Sequence, residues 1–282
     1  MAVRTIESKQ NPRLKELRKA IAAPGSHPRG MAGIEGPNLV EEALRAGLAI
    51  ECVFVAAGSE ALLEGLPLAA ETEVLLLPRA LLASALATEA PQPIAALVAP
   101  PAWNWKDLLQ SKEETLLVVL AGLQDPGNVG TILRSAEAFG ATGVVTLPGT
   151  VSAWNPKAVR ASAGSVFRLP LLAATPEDCF TRLRRAKVTV WTTAVRDAQP
   201  APAAALDKPA ALVIGNEGNG VPAQIAALIV AHGGTTLTIP CPGPVESLNA
   251  AVAASILLYE ASRQRTTARP AQTRTAQEGA AR

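Results

Sequence analysis

Short apolar runs alternate with polar-faced stretches along most of this chain, and the period of that alternation sets the elements it predicts. Between Gly33 and Pro100 the pattern predicts a helix around Asn38–Ala46, a strand at Ile50–Val55, a helix at Glu60–Leu66, a strand at Glu73–Leu77 and a helix at Arg79–Ala87. These make a small α/β unit. Pro91, Pro93, Pro100 and Pro101, followed by Trp103-Asn104-Trp105, change the composition and predict a linker at 99–114. Beyond it, strands at Leu116–Ala121, Gly143–Leu147, Val188–Thr193, Ala210–Ile214 and Thr235–Ile239 alternate with helices at Asn128–Phe139, Pro156–Ala163, Pro176–Ala186, Pro222–Val230 and Leu248–Arg263. Val-, Ile- and Leu-rich strands separated by helices indicate a parallel sheet covered on both faces, so the second domain is expected to be doubly wound α/β.

The two ends read differently. Residues 8–19 predict a short basic helix entered at Asn11-Pro12, where proline suits the first turn. Its cations fit an ordinary solvated face and a nucleic-acid contact equally well. After Arg263 there is no apolar periodicity, and such a stretch cannot bury enough surface to offset its ordering entropy. The expected segments are therefore 1–30, basic; 31–98, a first domain; 99–114, a linker; 115–263, the second domain; and 264–282, a disordered basic tail.

Charge sharpens this picture. Over 282 residues and 29.1 kDa the formal net charge is only +2, yet residues 1–30 carry seven basic and two acidic side chains and residues 31–115 carry four and twelve. The body of the first domain should repel a phosphate backbone, so any RNA contact there must be local. Aromatics at 3% argue against a base-stacking platform. Cys52, Cys179 and Cys241 form no CxxC, and His27 and His232 stand far apart, so neither disulfides nor a metal site are expected and a reducing cytoplasm fits. No leader opens the chain and no apolar run approaches the roughly 18–20 residues that span a bilayer, so secretion and membrane insertion are disfavoured.

Ligands of an open parallel sheet bind beyond the carboxyl ends of its strands, which directs attention to three segments. The first runs from Gln124 through Asp125-Pro126-Gly127-Asn128 to Gly140 and carries Arg134 on a helix lined with small and apolar groups. Asn128 alone suits a helix N-cap better than a catalytic role. The second, Leu212-Val213-Ile214-Gly215-Asn216-Glu217-Gly218-Asn219-Gly220-Val221-Pro222, brings glycines to a turn after a strand. Its spacing is GxxGxG, not the dinucleotide GxGxxG, and Glu217 is unsuited to pyrophosphate, so a neutral or cationic ligand is preferred and a nicotinamide-dependent oxidoreductase is not supported. The third spans Thr238-Ile239-Pro240-Cys241 to Glu260; Ser247 can cap its long helix and Asn249 can bond its own backbone.

In this order and position the three segments resemble the three motifs of the SpoU/TrmH family of RNA ribose 2′-O-methyltransferases, in the SPOUT superfamily. Asn155-Pro156-Lys157-Ala158-Val159-Arg160 through Pro170 is similar to the stretch between the first two motifs, and Ile34-Glu35-Gly36-Pro37-Asn38 to Ala43 is similar to the family's N-terminal substrate-binding domain. The resemblance covers roughly residues 8–264. It implies a C-terminal SPOUT α/β domain with a deep trefoil knot behind a smaller N-terminal α/β substrate-binding domain, S-adenosylmethionine as cofactor, no metal, and a homodimer formed through the knot region. It implies that Gly215, Ile239 and Leu248, with Ile214, Asn216 and Pro240, hold the adenosyl group. Arg134, Asn128, Glu217, Ser247 and Asn249 would then lie beside the reacting ribose. A guanidinium is normally protonated, so orienting the hydroxyl or a phosphate suits Arg134 better than acting as a literal base. Cys241 stands where the family often has Met, and Ala250 and Ala251 where larger residues are common; both departures should tune packing. The expected activity is methyl transfer to a ribose of structured RNA, ribosomal RNA before tRNA because of the added N-terminal domain. The alternatives are a tRNA 2′-O-methyltransferase and a non-catalytic RNA-binding protein on the same fold.

Overall fold

A computed structural model of the chain describes residues 2–25, 29–86, 88–110, 114–194, 198–216, 218, 220–244 and 247–268. By packing it divides into two units, one made of residues 1–103, 124–134 and 151–170 and the other of 104–123, 135–150 and 171–282. The first contains β1 (Ala2–Thr5), α1 (Pro12–Ala22), β2 (Ala32–Glu35), α2 (Pro37–Arg45), β3 (Ile50–Ala56), β4 (Glu73–Leu77), α3 (Arg79–Ala83) and β5 (Ile94–Val98). The remainder of the chain adds α4 (Trp105–Leu108), β6 (Leu116–Ala121), α5 (Pro126–Ala138), β7 (Gly143–Thr146), α6 (Pro156–Ser162), α7 (Ser165–Arg168), β8 (Leu171–Ala173), α8 (Pro176–Arg185), β9 (Thr189–Thr193), β10 (Gln199–Pro200), β11 (Ala210–Gly215), α9 (Ala223–Ala231), β12 (Thr235–Thr238) and α10 (Ala250–Ala268).

In the first unit five strands pair in the order β1-β4-β3-β5-β2, with β5 antiparallel to both neighbours. Leu14, Leu17 and Ile21 of α1 bury against Phe54, Leu75, Leu77 and Leu97 of the sheet. Residues 2–22, expected as a separate basic segment, are thus part of this unit: β1 pairs with β4, and Asn11 caps α1 by accepting from the Arg13 and Leu14 amides. Arg13 donates to Glu51 at 2.7 Å and to Glu16 and Glu73 at 3.0 Å, while Arg29 reaches Glu51 at 2.5 Å and Glu16 at 2.9 Å. Burial of Glu51 opposes its ionisation, but hydrogen bonds from Arg29 and Arg13 outweigh it and hold the carboxyl below its usual range.

The second unit is a seven-stranded sheet ordered β10-β12-β9-β11-β6-β7-β8, parallel at every pair. All six residues of β6 and of β11 are buried, as strands covered on both faces must be. Leu117, Val119, Ala211 and Val213 face Phe180 and Leu183 of α8 and Ile225 and Ile229 of α9.

Three expectations are corrected. The helix expected at Glu60–Leu66 is a single 3₁₀ turn, Glu60–Leu63, for which Glu64 and Gly65 provide no apolar face. The strands β1, β2 and β5 were not expected; Ala-rich Ile94–Val98 and the short Ala32–Glu35 carry no alternation to mark them. The tail does not begin at 264, because α10 continues to Ala268. Arg265 holds it by donating to the carbonyls of Leu206 (2.9 Å), Glu114 (2.6 Å), Thr115 (3.0 Å) and Lys208 (2.6 Å), acceptors that only the folded sheet brings together. Residues 269–282 lie outside the described residues.

Candidate functional site

From β6 the chain moves outward through β7 to β8, returns to β9 on the opposite side, and fills the gap between β6 and β9 with β11. Such a reversal leaves a crevice at the carboxyl ends of the strands. Because β6, β9, β11 and β12 run parallel, the loops after Ala121, Thr193, Gly215 and Thr238 leave at that one edge.

Two of these loops are tied together. The Gly122 amide donates to Thr150 Oγ1 at 3.0 Å, Thr150 donates to the Leu120 carbonyl at 2.9 Å, and Asn216 Nδ2 donates to the Gly122 carbonyl at 3.4 Å. Asn216 and Gly220 exchange backbone hydrogen bonds of 2.9 and 2.8 Å, and Asn216 Oδ1 accepts from the Gly218 amide at 2.9 Å, so Asn216 organises the turn from inside. The turn folds back on Gly215. A Cβ there would sit 2.5 Å from the Gly220 oxygen and closer still to the Gly220 carbonyl carbon and the Val221 nitrogen, which restricts the position to glycine.

Of the expected cofactor residues, Ile214 is buried and ends β11 with Gly215, Asn216 follows directly, and Ile239 and Pro240 follow β12, two strands away across β9. Leu248 is half-buried and Ser247 exposed on the approach to α10. Asn249, not Ser247, caps that helix: its Oδ1 accepts from the Ala251 and Val252 amides at 2.9 and 3.2 Å. Ser247 lies two residues before that cap position. Glu217 lies outside the described residues.

Asn128 and Arg134 sit on α5, in the first unit. Asn128 is not the cap. Asp125 is, accepting from the Gly127 amide at 3.1 Å, and the hydrogen bond from Lys157 (2.8 Å), then that from Gly127, holds its carboxyl below the usual range. The Asp-Pro-Gly sequence, an acceptor directly before a proline, carried that signal. Gly130 was also missed: a Cβ there would meet Ala161 Cβ at 2.6 Å and the Ala158 carbonyl closer still, so α5 and α6 touch backbone to backbone. Next to buried Leu133, Arg134 is exposed and makes no hydrogen bond or ion pair with the described residues. Beyond it Ser135 bonds Ser255 of α10 at 2.7 Å and Phe139 meets Tyr259 edge-on at 5.8 Å, which fixes the end of the helix.

The chemistry of these loops suits one kind of ligand. From Ile214 to Pro222 and from Thr235 to Asn249 there is no Lys, Arg or His, and there are two carboxylates, Glu217 and Glu246. Neutral, backbone-rich loops with acids and no cation fit a neutral adenosine bearing a sulfonium charge and oppose a pyrophosphate. Among the described residues no His, Cys, Asp and Glu cluster could hold a metal, and no helix is long and apolar enough to cross a membrane.

The SpoU rRNA methylase family model matches residues 115–259, and the MRM3-like substrate binding domain model matches residues 11–96. A 23S rRNA (guanosine(2553)-2′-O)-methyltransferase, RlmP, of Bacillus subtilis (strain 168) is 32% identical over 259 residues, covering 91% of this chain and 98% of that one. The crystal structure of the SpoU methyltransferase AviRb from Streptomyces viridochromogenes in complex with AdoMet superposes with a TM-score of 0.80 at 29% identity, over 92% of this chain and 100% of that one. An AdoMet-bound rRNA methyltransferase from Sinorhizobium meliloti gives 0.76 at 29% identity, over 93% and 98%.

Proposed function

The chain belongs to the SpoU rRNA methylase family, and on that footing we propose that it transfers a methyl group from S-adenosylmethionine to a ribose 2′-hydroxyl of ribosomal RNA. The observation that carries this reading is the Asn216–Gly220 turn after β11, tied to Gly122 after β6 at the carboxyl edge of the sheet, with no Lys, Arg or His from Ile214 to Pro222 or from Thr235 to Asn249. The named activity of the Bacillus subtilis relative supports ribosomal RNA over tRNA.

S-adenosylmethionine supplies, when bound, a methyl group already activated by the positive sulfur. The chain supplies position. Backbone groups around Gly215, Asn216 and Ile239 to Leu248 would hold the adenosyl moiety, with Ile214 as apolar floor and Pro240 at the rim. Arg134 has five N–H donors and nothing to accept a proton with, so it orients the ribose hydroxyl or the adjoining phosphate and leaves the proton to a phosphate oxygen or water. Having no partner of its own among the described residues, it is available for that task. Asn128 and Glu217 are assigned to steadying Arg134 or the ribose, and Ser247 and Asn249 to closing the pocket at the start of α10.

The working form is a homodimer with the chain between β11 and α10 knotted. Supporting the dimer, α10 exposes Val252, Ile256 and Tyr259 at 49%, 38% and 55%, an apolar stripe at helical spacing. A ribosomal substrate and the free Cys52, Cys179 and Cys241 support a cytoplasmic location.

The test is incubation of the purified chain with tritiated S-adenosylmethionine and, separately, ribosomal RNA and tRNA. Label in ribosomal RNA is expected. Label in tRNA alone moves the substrate, and label in neither withdraws the reading.

A further inference from the structure

We infer that the outer face of α1, formed by Lys15, Arg18 and Lys19, is the surface through which the first unit grips the phosphate backbone of the substrate RNA. This rests on the methyl-transfer reading above and names the contact that reading leaves open.

Three faces divide α1. Leu14, Leu17, Ala20 and Ile21 are buried. Arg13 and Glu16 occupy one flank, committed to the network with Arg29, Glu51 and Glu73. At 100° per residue, Lys15 and Lys19 fall on the side opposite the core, one turn apart, and Arg18 lies beside them on the flank away from Arg13 and Glu16. Lys15 and Lys19 are exposed, Arg18 is half-exposed, and none makes an ion pair with the described residues.

The neighbouring acids do not cancel this charge. Glu16 and Glu51 each accept from two arginines, and Glu73 pairs with Arg13 and with Arg4 at 3.5 Å. Only Glu7, at the edge of the segment, is left unpaired among the described residues. Residues 31–98 are acidic, with nine carboxylates and two arginines, and Arg45 is itself taken by Glu41 and Glu42; residues 124–134 and 151–170 of the same unit add Arg134, Lys157, Arg160 and Arg168 against Asp125. A polyanion is repelled by residues 31–98 and attracted to the uncompensated cations of α1. The arrangement therefore sets orientation as well as affinity.

The experiment compares the full-length wild type with K15Q/R18Q/K19Q, in which glutamine keeps the helix and removes the charge. Binding to transcribed large-subunit ribosomal RNA is titrated across a range of salt, beside melting temperature and S-adenosylmethionine affinity. Each phosphate contact contributes about 0.7–0.9 to the slope of log K against log salt, so the variant should lose about 2 from that slope and about tenfold or more in affinity near 0.1 M salt. Melting and cofactor binding should stay at wild type, because none of the three makes a side-chain hydrogen bond or ion pair with a described residue. R184Q/R185Q on α8 is the control for net charge. An unchanged slope in the triple variant overturns the inference while leaving methyl transfer standing, and so does an equal loss per charge in the control. Failure of the wild type to label the same RNA is the separate result that removes the underlying activity.

Discussion

Replacing Gly215 by alanine puts one methyl group where the structure has none to spare. The new Cβ lies 2.5 Å from the Gly220 oxygen, against an optimum of about 3.5–4.0 Å, so the turn must retreat by about 1 Å or more. What retreats is backbone, held by the two Asn216–Gly220 bonds of 2.9 and 2.8 Å. Losing both removes about 1–3 kcal/mol, within the range of about 1–3 kcal/mol found for overpacked sites. For a chain of this size that is a fall in Tm of a few degrees to about 10 °C. The same displacement reshapes the wall of the proposed adenosyl pocket, so calorimetry should show S-adenosylmethionine affinity reduced about tenfold or more, since about 1.4 kcal/mol is a factor of ten. Gly220→Ala is the comparison. Gly220 has φ +64° but no atom within 4 Å of its would-be Cβ, so this variant bears only the left-handed strain of about 1–2 kcal/mol and should bind cofactor better than Gly215→Ala. Wild-type cofactor affinity in Gly215→Ala would refute the placement of the cofactor at this turn.

Arg265→Ala strips a donor from four carbonyls and should lower Tm by far more than Arg263→Ala, which removes only an exposed pair with Glu260; equal melting shifts would contradict the C-terminal lock. Iodoacetamide should modify exposed Cys241 and spare Cys52 and Cys179, the latter with its thiol pushed up to about 12 by burial and then by Asp178; bound S-adenosylmethionine should slow the labelling of Cys241, one residue beyond Pro240, and unchanged labelling would place the cofactor elsewhere. Glu51 ionises below its ordinary 4.5 in the folded chain, so its contribution to stability is present above that value and is lost as pH falls through the lowered one. Melting of Glu51→Gln against pH should therefore differ from wild type at neutral pH and converge in acid; parallel curves would deny the network that role.

Strands written as apolar runs were legible in both sheets: Glu73–Leu77 of the first and Leu116–Ala121 of the second match their expected bounds to the residue. Strands written in alanine and glycine, β2 and β5, were silent because neither hydrophobicity nor period sets them apart from helix. The assignment of residues 124–134 and 151–170 to the first unit was invisible as well, since it depends on contacts such as Arg168 with Glu42 at 2.6 Å, 126 positions apart. Within the site, the glycine spacing after β11 announced a tight turn, but not that Gly215 is forced by Gly220 or that Asn216 reaches Gly122. The motif residues pointed to the right loops. Their local work was misjudged where two polar residues competed for one cap, as Asp125 with Asn128 and Ser247 with Asn249.

One measurement bears most directly on the central claim. Ribosomal RNA is treated with wild type or Arg134→Ala under saturating tritiated S-adenosylmethionine, then hydrolysed with alkali, which cannot cleave beside a methylated 2′-oxygen. The account predicts label in alkali-resistant dinucleotides from wild type, and a loss of at least a hundredfold in Arg134→Ala with cofactor affinity unchanged, the order expected for removing a group that positions the reacting atoms (about 10²-fold). Label released as mononucleotides, or near-normal transfer by the variant, would contradict it.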